Sequence, residues 1–453
     1  MSSTSTLPSP GTTGGHEVAI LLATKLWLVV AGLASQSLLA RMLAPEGRGA
    51  FAVCAMFGTI FGVLFTPGAD RGAQYFVMSG RHSVSRGVWV GLTLSVAGSL
   101  VGIALAVPLI DSSIGFFQKA ERAEFLFSLP LIPLTVVATS LQLQLAGLRR
   151  FARLAVFSVY ETSAHVLTLV VAVWVLGWGV RGAILSLEAS YAIAVLLLLR
   201  ELRTSCGLRL ERPGLGDFRE VLSYGRRYYV ARVGSMMDRQ VGAFFLAMIA
   251  TQSEIGLFVA ASVLIQRTGM VSDSIESSLL PRVASDPLGR PDLVSRCVRL
   301  SGLLTSLVLL ALAVASVPLV RILLSSAFLP AVQLIWIMTP GMLLYGASGI
   351  LMAYFRGRNR PEVCSRVVWA GLAANVAALL VLYPRIGLPA AAWATSIGLA
   401  CRSLILAVAF RRASGWSFRA TWGPERGDLG LLLDSGRQLF GRFFPSPDRS
   451  LDV

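Results

Sequence analysis

Two stretches of the chain decide its fold: KLWLVVAGLASQSLLARMLAPEGRGAF (25–51) and RVGSMMDRQVGAFFLAMIATQSEIGLF (232–258). Several positions match between them at one offset of 207 residues: Lys25 with Arg232, Leu39-Ala40 with Leu246-Ala247, Gly49 with Gly256, and Phe51 with Phe258. At an offset of 208, Gly179 matches Gly387 and Ala183 matches Ala391. Each match is weak alone, but the shared offset across most of the chain indicates an internal duplication.

The composition is that of a membrane protein. Of 453 residues, 55% are hydrophobic and only 14% are charged, and the mean hydropathy is +0.70, whereas about a quarter of the residues in soluble domains are charged. The net charge of +16 comes almost entirely from arginine, since Lys25 and Lys119 are the only lysines. Most of these arginines lie between apolar segments, as in the loops of membrane proteins. We therefore predict no nucleic-acid partner.

The apolar segments predict an all-α, polytopic membrane protein with about twelve transmembrane helices in two repeated six-helix bundles. A spanning helix needs about 20 mostly apolar residues. Twelve such spans are predicted, at 18–42, 49–67, 87–110, 125–147, 155–178, 180–200, 225–250, 255–281, 298–323, 328–354, 364–383 and 389–411. The seventh and eighth contain several charged residues and are the least apolar.

Charge predicts the orientation and the domain limits. With the amino terminus inside, 28 of the 40 Lys and Arg residues fall in inner loops and 7 in outer loops, so the positive-inside rule places both termini in the cytoplasm. The predicted domains are a disordered cytoplasmic tail (1–17), an N-terminal bundle (18–200), a cytoplasmic linker (201–223), a C-terminal bundle (224–412) and a cytoplasmic tail (413–453). Leucines and phenylalanines in that last tail approximate the stripe of an interfacial helix, and a partly ordered tail fits equally well.

Four cations embedded in the spans are candidate substrate-binding residues: Lys25, Arg232, Arg239 and Arg267. A cation inside a span is costly and usually marks a ligand or a pathway. Arginine donates in pairs to phosphate oxygens, so these residues suit a phosphate or diphosphate, although an acidic sugar would satisfy the same charges. The alternative is that the long side chains reach up to the inner headgroups.

Three embedded acids are candidate ion-coupling residues: Asp238, Asp273 and Glu276. They could couple transport to a cation or a proton. The alternative is internal ion pairing with Arg239 or Arg267, because charges inside a membrane usually pair.

Motifs of enzymes and cofactor sites are missing from the sequence. There is no phosphate-binding loop for ATP, no nucleophile motif, and no cysteine or histidine spacing typical of a metal site. We therefore predict a non-enzymatic protein without a cofactor or metal. Duplicated membrane halves with a polar centre are typical of secondary transporters.

Three stretches carry a family resemblance: SLLARMLAPEGRGAFAVCAMF (37–57), SEIGLFVAASVL (253–264) and LYPRIGLPAAAWATSIG (382–398). In order and spacing they resemble the polysaccharide flippase branch of the multidrug/oligosaccharidyl-lipid/polysaccharide exporter superfamily. Pro389 stands where that family commonly has glycine. The resemblance covers residues 18 to 411.

The resemblance implies a function. Members of the family form a V-shaped pair of six-helix bundles, and carry a lipid-linked oligosaccharide from the inner to the outer leaflet through a cavity that the four cations would line. It implies a polyprenyl-diphosphate-linked glycan as cargo, the bacterial inner membrane as location, and membrane lipids and a glycan polymerase as partners, in lipopolysaccharide or exopolysaccharide biosynthesis.

Two other functions remain open from the sequence. The first is a cation-coupled multidrug exporter of the same superfamily. Those exporters are expected to keep an acid in the first span, where this chain has Lys25. The second is a membrane glycan polymerase or ligase, which would need a large outer loop with catalytic residues, and the predicted outer loops are short. Twelve spans also argue against the lipid II flippase branch, which usually has fourteen.

Overall fold

The structure is a computed structural model that describes residues 14–148, 150–284, 291–358, 360–417 and 421–422. These residues form helices α1 (Gly14–Leu64), α2 (Ala69–Met78), α3 (Val84–Ile110), α4 (Arg122–Ser128), α5 (Leu131–Gly147), α6 (Phe151–Leu169), α7 (Gly179–Ser205), α8 (Leu215–Ile249), α9 (Gln252–Gln266), α10 (Met270–Ala284), α11 (Pro291–Leu323), α12 (Pro330–Gly357), α13 (Pro361–Ile386) and α14 (Pro389–Ser414). No strand occurs within these ranges. Most of the two predicted tails, 1–17 and 413–453, lies outside the described residues.

Ten helical segments in the described chain are long and apolar enough to cross a membrane. The first, Thr24–Leu64, has 41 residues, which is long enough for two crossings, and it bends at Ala44, where φ is 53°. Pro45 follows, and a proline both disfavours helical geometry in the residue before it and lacks an N–H donor. The predicted all-α membrane fold is confirmed.

The predicted seventh span, 225–250, lies within α8, which is 35 residues long. Only its last third, Gln240–Ile249, is an apolar stretch, because arginine and aspartate interrupt the part before it. The helix also begins ten residues before the predicted span. Together with the end of α7 at Ser205, this limits the non-helical part of the predicted linker to residues 206–214.

The duplication seen in the sequence has structural counterparts. Leu39 and Ala40 are 2% and 1% exposed, and their matches Leu246 and Ala247 are both 0% exposed. Gly179 and Gly387 have φ values of 55° and 63°, and each lies where the last helix of its half begins. Glycine adopts this left-handed geometry without the penalty that a side chain brings, which explains why glycine occurs in both copies.

A close contact joins equivalent positions of the two repeats. A Cβ atom on Gly49 would lie 1.9 Å from the carbonyl oxygen of Gln252, and a Cβ atom on Gly256 would lie 2.0 Å from the carbonyl oxygen of Pro45. Pro45 and Gln252 are themselves 207 residues apart, so the two halves of this contact are equivalent, as in a two-fold interface. Glycine at both places lets the backbones touch.

The described chain divides into two compact units. The first comprises residues up to Ala260 together with Leu319–Pro330, and the second comprises Ala261–Pro318 and the residues from Ala331 onward. In the first unit, the Phe57 ring packs edge to face on Phe117 and Phe125, and all three ring centroids lie 5.4–6.0 Å apart. In the second, the Tyr354 ring packs edge to face on Phe410 at 4.9 Å.

Polar contacts hold the 206–214 segment against the start of α3. The Ser83 hydroxyl donates to Glu211 Oε2 at 2.6 Å, and the Arg86 guanidinium donates to Glu211 Oε1 at 3.0 Å. The Trp89 indole donates to the Arg209 carbonyl at 2.8 Å. These bonds, first that from Ser83 and then those from Arg86, hold the pKa of the Glu211 carboxyl below its usual value.

Acid is expected to loosen this segment. Because the pKa of Glu211 is lowered by folding, its contribution to stability is present above the unfolded value of 4.5 and is lost as the pH falls below it. Hydrogen exchange of residues 206–214 should therefore speed up, relative to intrinsic rates, below about pH 4.5. Glu211→Gln should exchange fast at neutral pH and lose this dependence. Equal protection of the two proteins at pH 7 would contradict the expectation.

Candidate functional site

The candidate site is built where α2 meets α8, within the first compact unit. The two helices touch backbone to backbone, since a Cβ atom on Gly68 would lie 2.2 Å from the carbonyl oxygen of Gly225. A Cβ atom on Gly72 would likewise lie 2.4 Å from the carbonyl oxygen of Val221. This approach places the side chains of the first turn of α2 against the middle of α8.

An ion pair bridges the two helices. The Asp70 carboxylate, in the first turn of α2, pairs with the Arg232 guanidinium of α8. Asp70 is almost completely buried, with 2% of its side chain exposed, whereas 15% of the Arg232 side chain is exposed. Arg232 is therefore a cation that is partly exposed at the protein surface and that is already paired with a carboxylate.

The break between α1 and α2 supplies a further contact to α8. The Tyr229 hydroxyl donates to the Leu64 carbonyl, which lies at the end of α1 and lacks the helical partner that such terminal carbonyls need. Tyr229 and Arg232 are three positions apart, so this bond lies about one helical turn from the ion pair.

Lys25 differs from its repeat partner Arg232. Its side chain is exposed, and no ion pair or hydrogen bond of Lys25 is found among the described residues. Two residues further on, the Trp27 indole donates to Ser163 Oγ at 3.0 Å and joins α1 to α6. The sequence placed the two cations at matching positions, but only Arg232 has an acidic partner here.

In the second unit, Glu276 of α10 pairs with Arg356 of α12 at 2.9 Å. Internal pairing was an alternative considered for Glu276, with Arg267 or Arg239 as the expected partner, and the observed partner is Arg356. Nearby, the buried Arg402 guanidinium lies 5.2 Å from the centre of the Tyr345 ring and contacts the Met352 sulfur. Aromatic faces attract such cations.

The other predicted residues are spread over the two units. Asp238 is half-buried, whereas Arg267 and Asp273 are exposed, and the side chain of Arg239 lies outside the described residues. Lys25, Arg232, Asp238 and Arg239 belong to the first unit, and Arg267, Asp273 and Glu276 to the second. No group of three or more His, Cys, Asp or Glu side chains that could hold a metal occurs in the described ranges.

Sequence reasoning missed Asp70 and Arg356. Both lie just beyond the ends of predicted spans, where charged residues are common. Arg356 entered only the topology argument, and Asp70 entered none. A signal for Asp70 was present in the Thr66-Pro67-Gly68 sequence just before it. Proline and glycine together predict a break within the membrane segment, and a carboxylate then falls in the first turn of a new helix, where it is favoured.

Residues 38–333 match the protein family described as polysaccharide biosynthesis protein. The chain belongs to this family. The match runs from α1, before its bend, to the start of α12, so it includes α2, α8 and the Asp70–Arg232 pair. No curated protein matches the sequence.

Solved structures of a flippase and of multidrug transporters share the fold. The structure titled "Lipid II flippase MurJ, inward closed conformation" aligns with a TM-score of 0.75 at 14% identity, over 96% of this chain and 94% of that one. An inward-facing multidrug resistance MATE family transporter of the MOP superfamily gives 0.69 at 14% identity, over 88% and 98%. The Vibrio cholerae MATE transporter VcmN in the bent form gives 0.56 at 12% identity, over 89% and 98%.

These comparisons place this member of the polysaccharide biosynthesis family on the fold of flippases and MATE transporters. With its apolar helices, the chain is a multi-pass membrane protein. At identities this low, the solved structures show the fold alone. They include both a flippase and multidrug transporters, so they do not distinguish these two functions.

Proposed function

We propose that this protein is a non-enzymatic flippase that moves a polyprenyl-diphosphate-linked oligosaccharide across the bacterial inner membrane by alternating access. The glycan would serve cell-surface polysaccharide biosynthesis, as in lipopolysaccharide or exopolysaccharide. Family membership supports the polysaccharide, and the transporter fold supports translocation rather than catalysis. A glycan polymerase and other biosynthetic membrane proteins are the proposed partners.

The observation that carries the proposal is the pair of embedded cations at matching places in the two repeats. Lys25 is exposed and has no acidic partner among the described residues, and Arg232 remains partly exposed beside Asp70. A cation in a membrane helix is costly, and a diphosphate offers the charge and the oxygen atoms that would satisfy both. Arg239 and Arg267 are proposed as further contacts to the cargo.

Coupling is proposed to involve the acids. Asp238 and Asp273 remain candidates for binding a coupling cation or proton, and Glu276 would take part only if its contact with Arg356 opens. The orientation, with both termini in the cytoplasm, is supported by the excess of arginine in the predicted inner loops.

Removal of the Lys25 charge is expected to slow flipping. Lys25→Ala should weaken cargo binding by roughly ten- to a hundredfold, the value of one charge-assisted contact. The measurement is the rate of flipping of a polyprenyl-diphosphate-linked glycan in proteoliposomes, at a glycan concentration too low to saturate the protein. Lys25→Arg should retain most activity because it keeps the charge. Lys119→Ala, which removes the only other lysine, is the matched control and should flip at the parental rate.

Two results would count against the proposal. If Lys25→Ala flips the glycan at the parental rate, Lys25 only reaches the headgroups and is no part of a cargo site. If the wild-type protein flips no lipid-linked glycan but exports a cationic dye in response to a proton or sodium gradient, the protein is a multidrug exporter.

A further inference from the structure

Asp70 has no role in the function proposed so far, yet it contacts the guanidinium that we assign to the cargo diphosphate. Its carboxylate is buried against Arg232, and only 2% of the Asp70 side chain is exposed. A carboxylate and a phosphate bind a guanidinium through the same N–H groups. Asp70 and an anionic cargo would therefore compete for one site.

We propose that Asp70 is an internal counter-ion that the cargo must displace from Arg232, and that it thereby excludes singly charged phospholipids from the site. The inference rests on the proposed function, because it takes the diphosphate as the ligand of Arg232. It adds a specificity-determining residue from a helix in which the sequence indicated no site.

The geometry lets an anion reach Arg232 before it reaches Asp70. Arg232 has 15% of its side chain exposed. One turn earlier on α8, Tyr228 is 48% exposed, and residues four apart share a helix face. An arriving anion would thus approach over Tyr228 and meet the guanidinium, while Asp70 stays behind it.

The helix that carries Asp70 makes displacement feasible. Asp70 lies in the first turn of α2, where the positive end of the helix dipole favours a carboxylate. When Arg232 turns to the cargo, the carboxylate keeps this interaction and is not left as an unsupported buried charge. The exchange can therefore be reversed once the cargo leaves.

Charge decides which anions can make the exchange. A phospholipid phosphodiester carries one negative charge, as Asp70 does, but Asp70 is already held against Arg232 and needs no ordering. A diphosphate carries more charge and more oxygen atoms, so it can bind Arg232 in pairs of bonds and bind a second cation as well. Every bilayer offers the phosphodiester in large excess, so this discrimination matters for a flippase.

The test is binding of farnesyl diphosphate to the purified full-length protein in detergent, with phosphatidylglycerol as competitor. Asp70→Asn should bind farnesyl diphosphate several-fold tighter than wild type. Phosphatidylglycerol should displace the probe from this variant at a roughly tenfold lower concentration, the scale of one charge-assisted contact. Asp70→Ser is a second neutral variant of smaller size, and Asp70→Glu, which keeps the charge, should retain the discrimination.

The Arg232→Gln background shows whether Asp70 acts through Arg232. There, Asp70→Asn should change neither affinity nor discrimination. Unchanged or weaker probe binding by Asp70→Asn and Asp70→Ser would overturn the inference, as would equal tightening in the Arg232→Gln background. If wild type and both neutral variants bind no farnesyl diphosphate, the proposed function fails and this inference fails with it.

Discussion

Replacing Gly49 with alanine is expected to lower the melting temperature of the detergent-solubilised protein by about 5 °C. The added Cβ would lie 1.9 Å from the Gln252 carbonyl oxygen, a backbone atom that no side-chain rotation can move. Forcing an extra methyl group into such a contact typically costs about 1–3 kcal/mol. In a protein of this size, each kcal/mol lowers the melting temperature by roughly 2–4 °C. A thermal unfolding curve followed by tryptophan fluorescence measures the shift.

The repeat supplies an internal check on this expectation. Gly256→Ala should have a similar effect, because its Cβ would lie 2.0 Å from the Pro45 carbonyl oxygen. The double variant should lose less than the sum, since both changes disrupt one contact. Gly302→Ala is the matched control and should not lower the melting temperature. That position has open space around it, and alanine is more favourable than glycine inside a helix. Parental melting temperatures for both Gly49→Ala and Gly256→Ala would show that this backbone contact is not formed.

Replacing Arg232 with glutamine is expected to destabilise the protein by about 2–4 kcal/mol. It leaves the buried Asp70 carboxylate without its partner, and removing one member of a buried pair costs about 3–5 kcal/mol. The helix dipole at the start of α2 offsets up to about 2 kcal/mol of that cost. Denaturation or thermal unfolding in detergent measures the change.

A second substitution should restore much of the lost stability. The Asp70→Asn/Arg232→Gln variant has lost both charges of the pair, so no unpaired buried charge remains. Its melting temperature should therefore be higher than that of the Arg232→Gln single variant. Asp70→Asn alone should cost less than Arg232→Gln, because the Arg232 side chain that it leaves behind is partly exposed and Asp70 is not. A double variant that melts at or below the Arg232→Gln variant would contradict the ion pair.

Much of the fold could be predicted from particular residues. Apolar runs of about 20 residues must be helices in a membrane, because only a helix satisfies its backbone hydrogen bonds within one segment. The repeat was visible because its glycines are required by backbone geometry, as at Gly179 and Gly387, which have positive φ. The least apolar predicted span, 225–250, was also the one whose helix limits differ most from the prediction.

The candidate site was predicted only in part. The sequence identified Lys25 and Arg232 as cations that are costly inside a membrane, since this cost depends on residue type and position in a span. It did not predict that Arg232 has a partner and Lys25 has none among the described residues. Glu276 was likewise recognised as an embedded acid, but its partner Arg356 lies 80 residues further along the chain.

The sequence alone therefore determined the helical membrane fold, the duplication and the identity of the embedded charges, because these follow from local composition and from a repeated spacing. Only the tertiary structure decided which charges neutralise one another. Asp70 meets Arg232 because Gly68 and Gly225 let α2 and α8 touch. Such a contact between residues 162 positions apart depends on how two helices pack, and no local pattern records it.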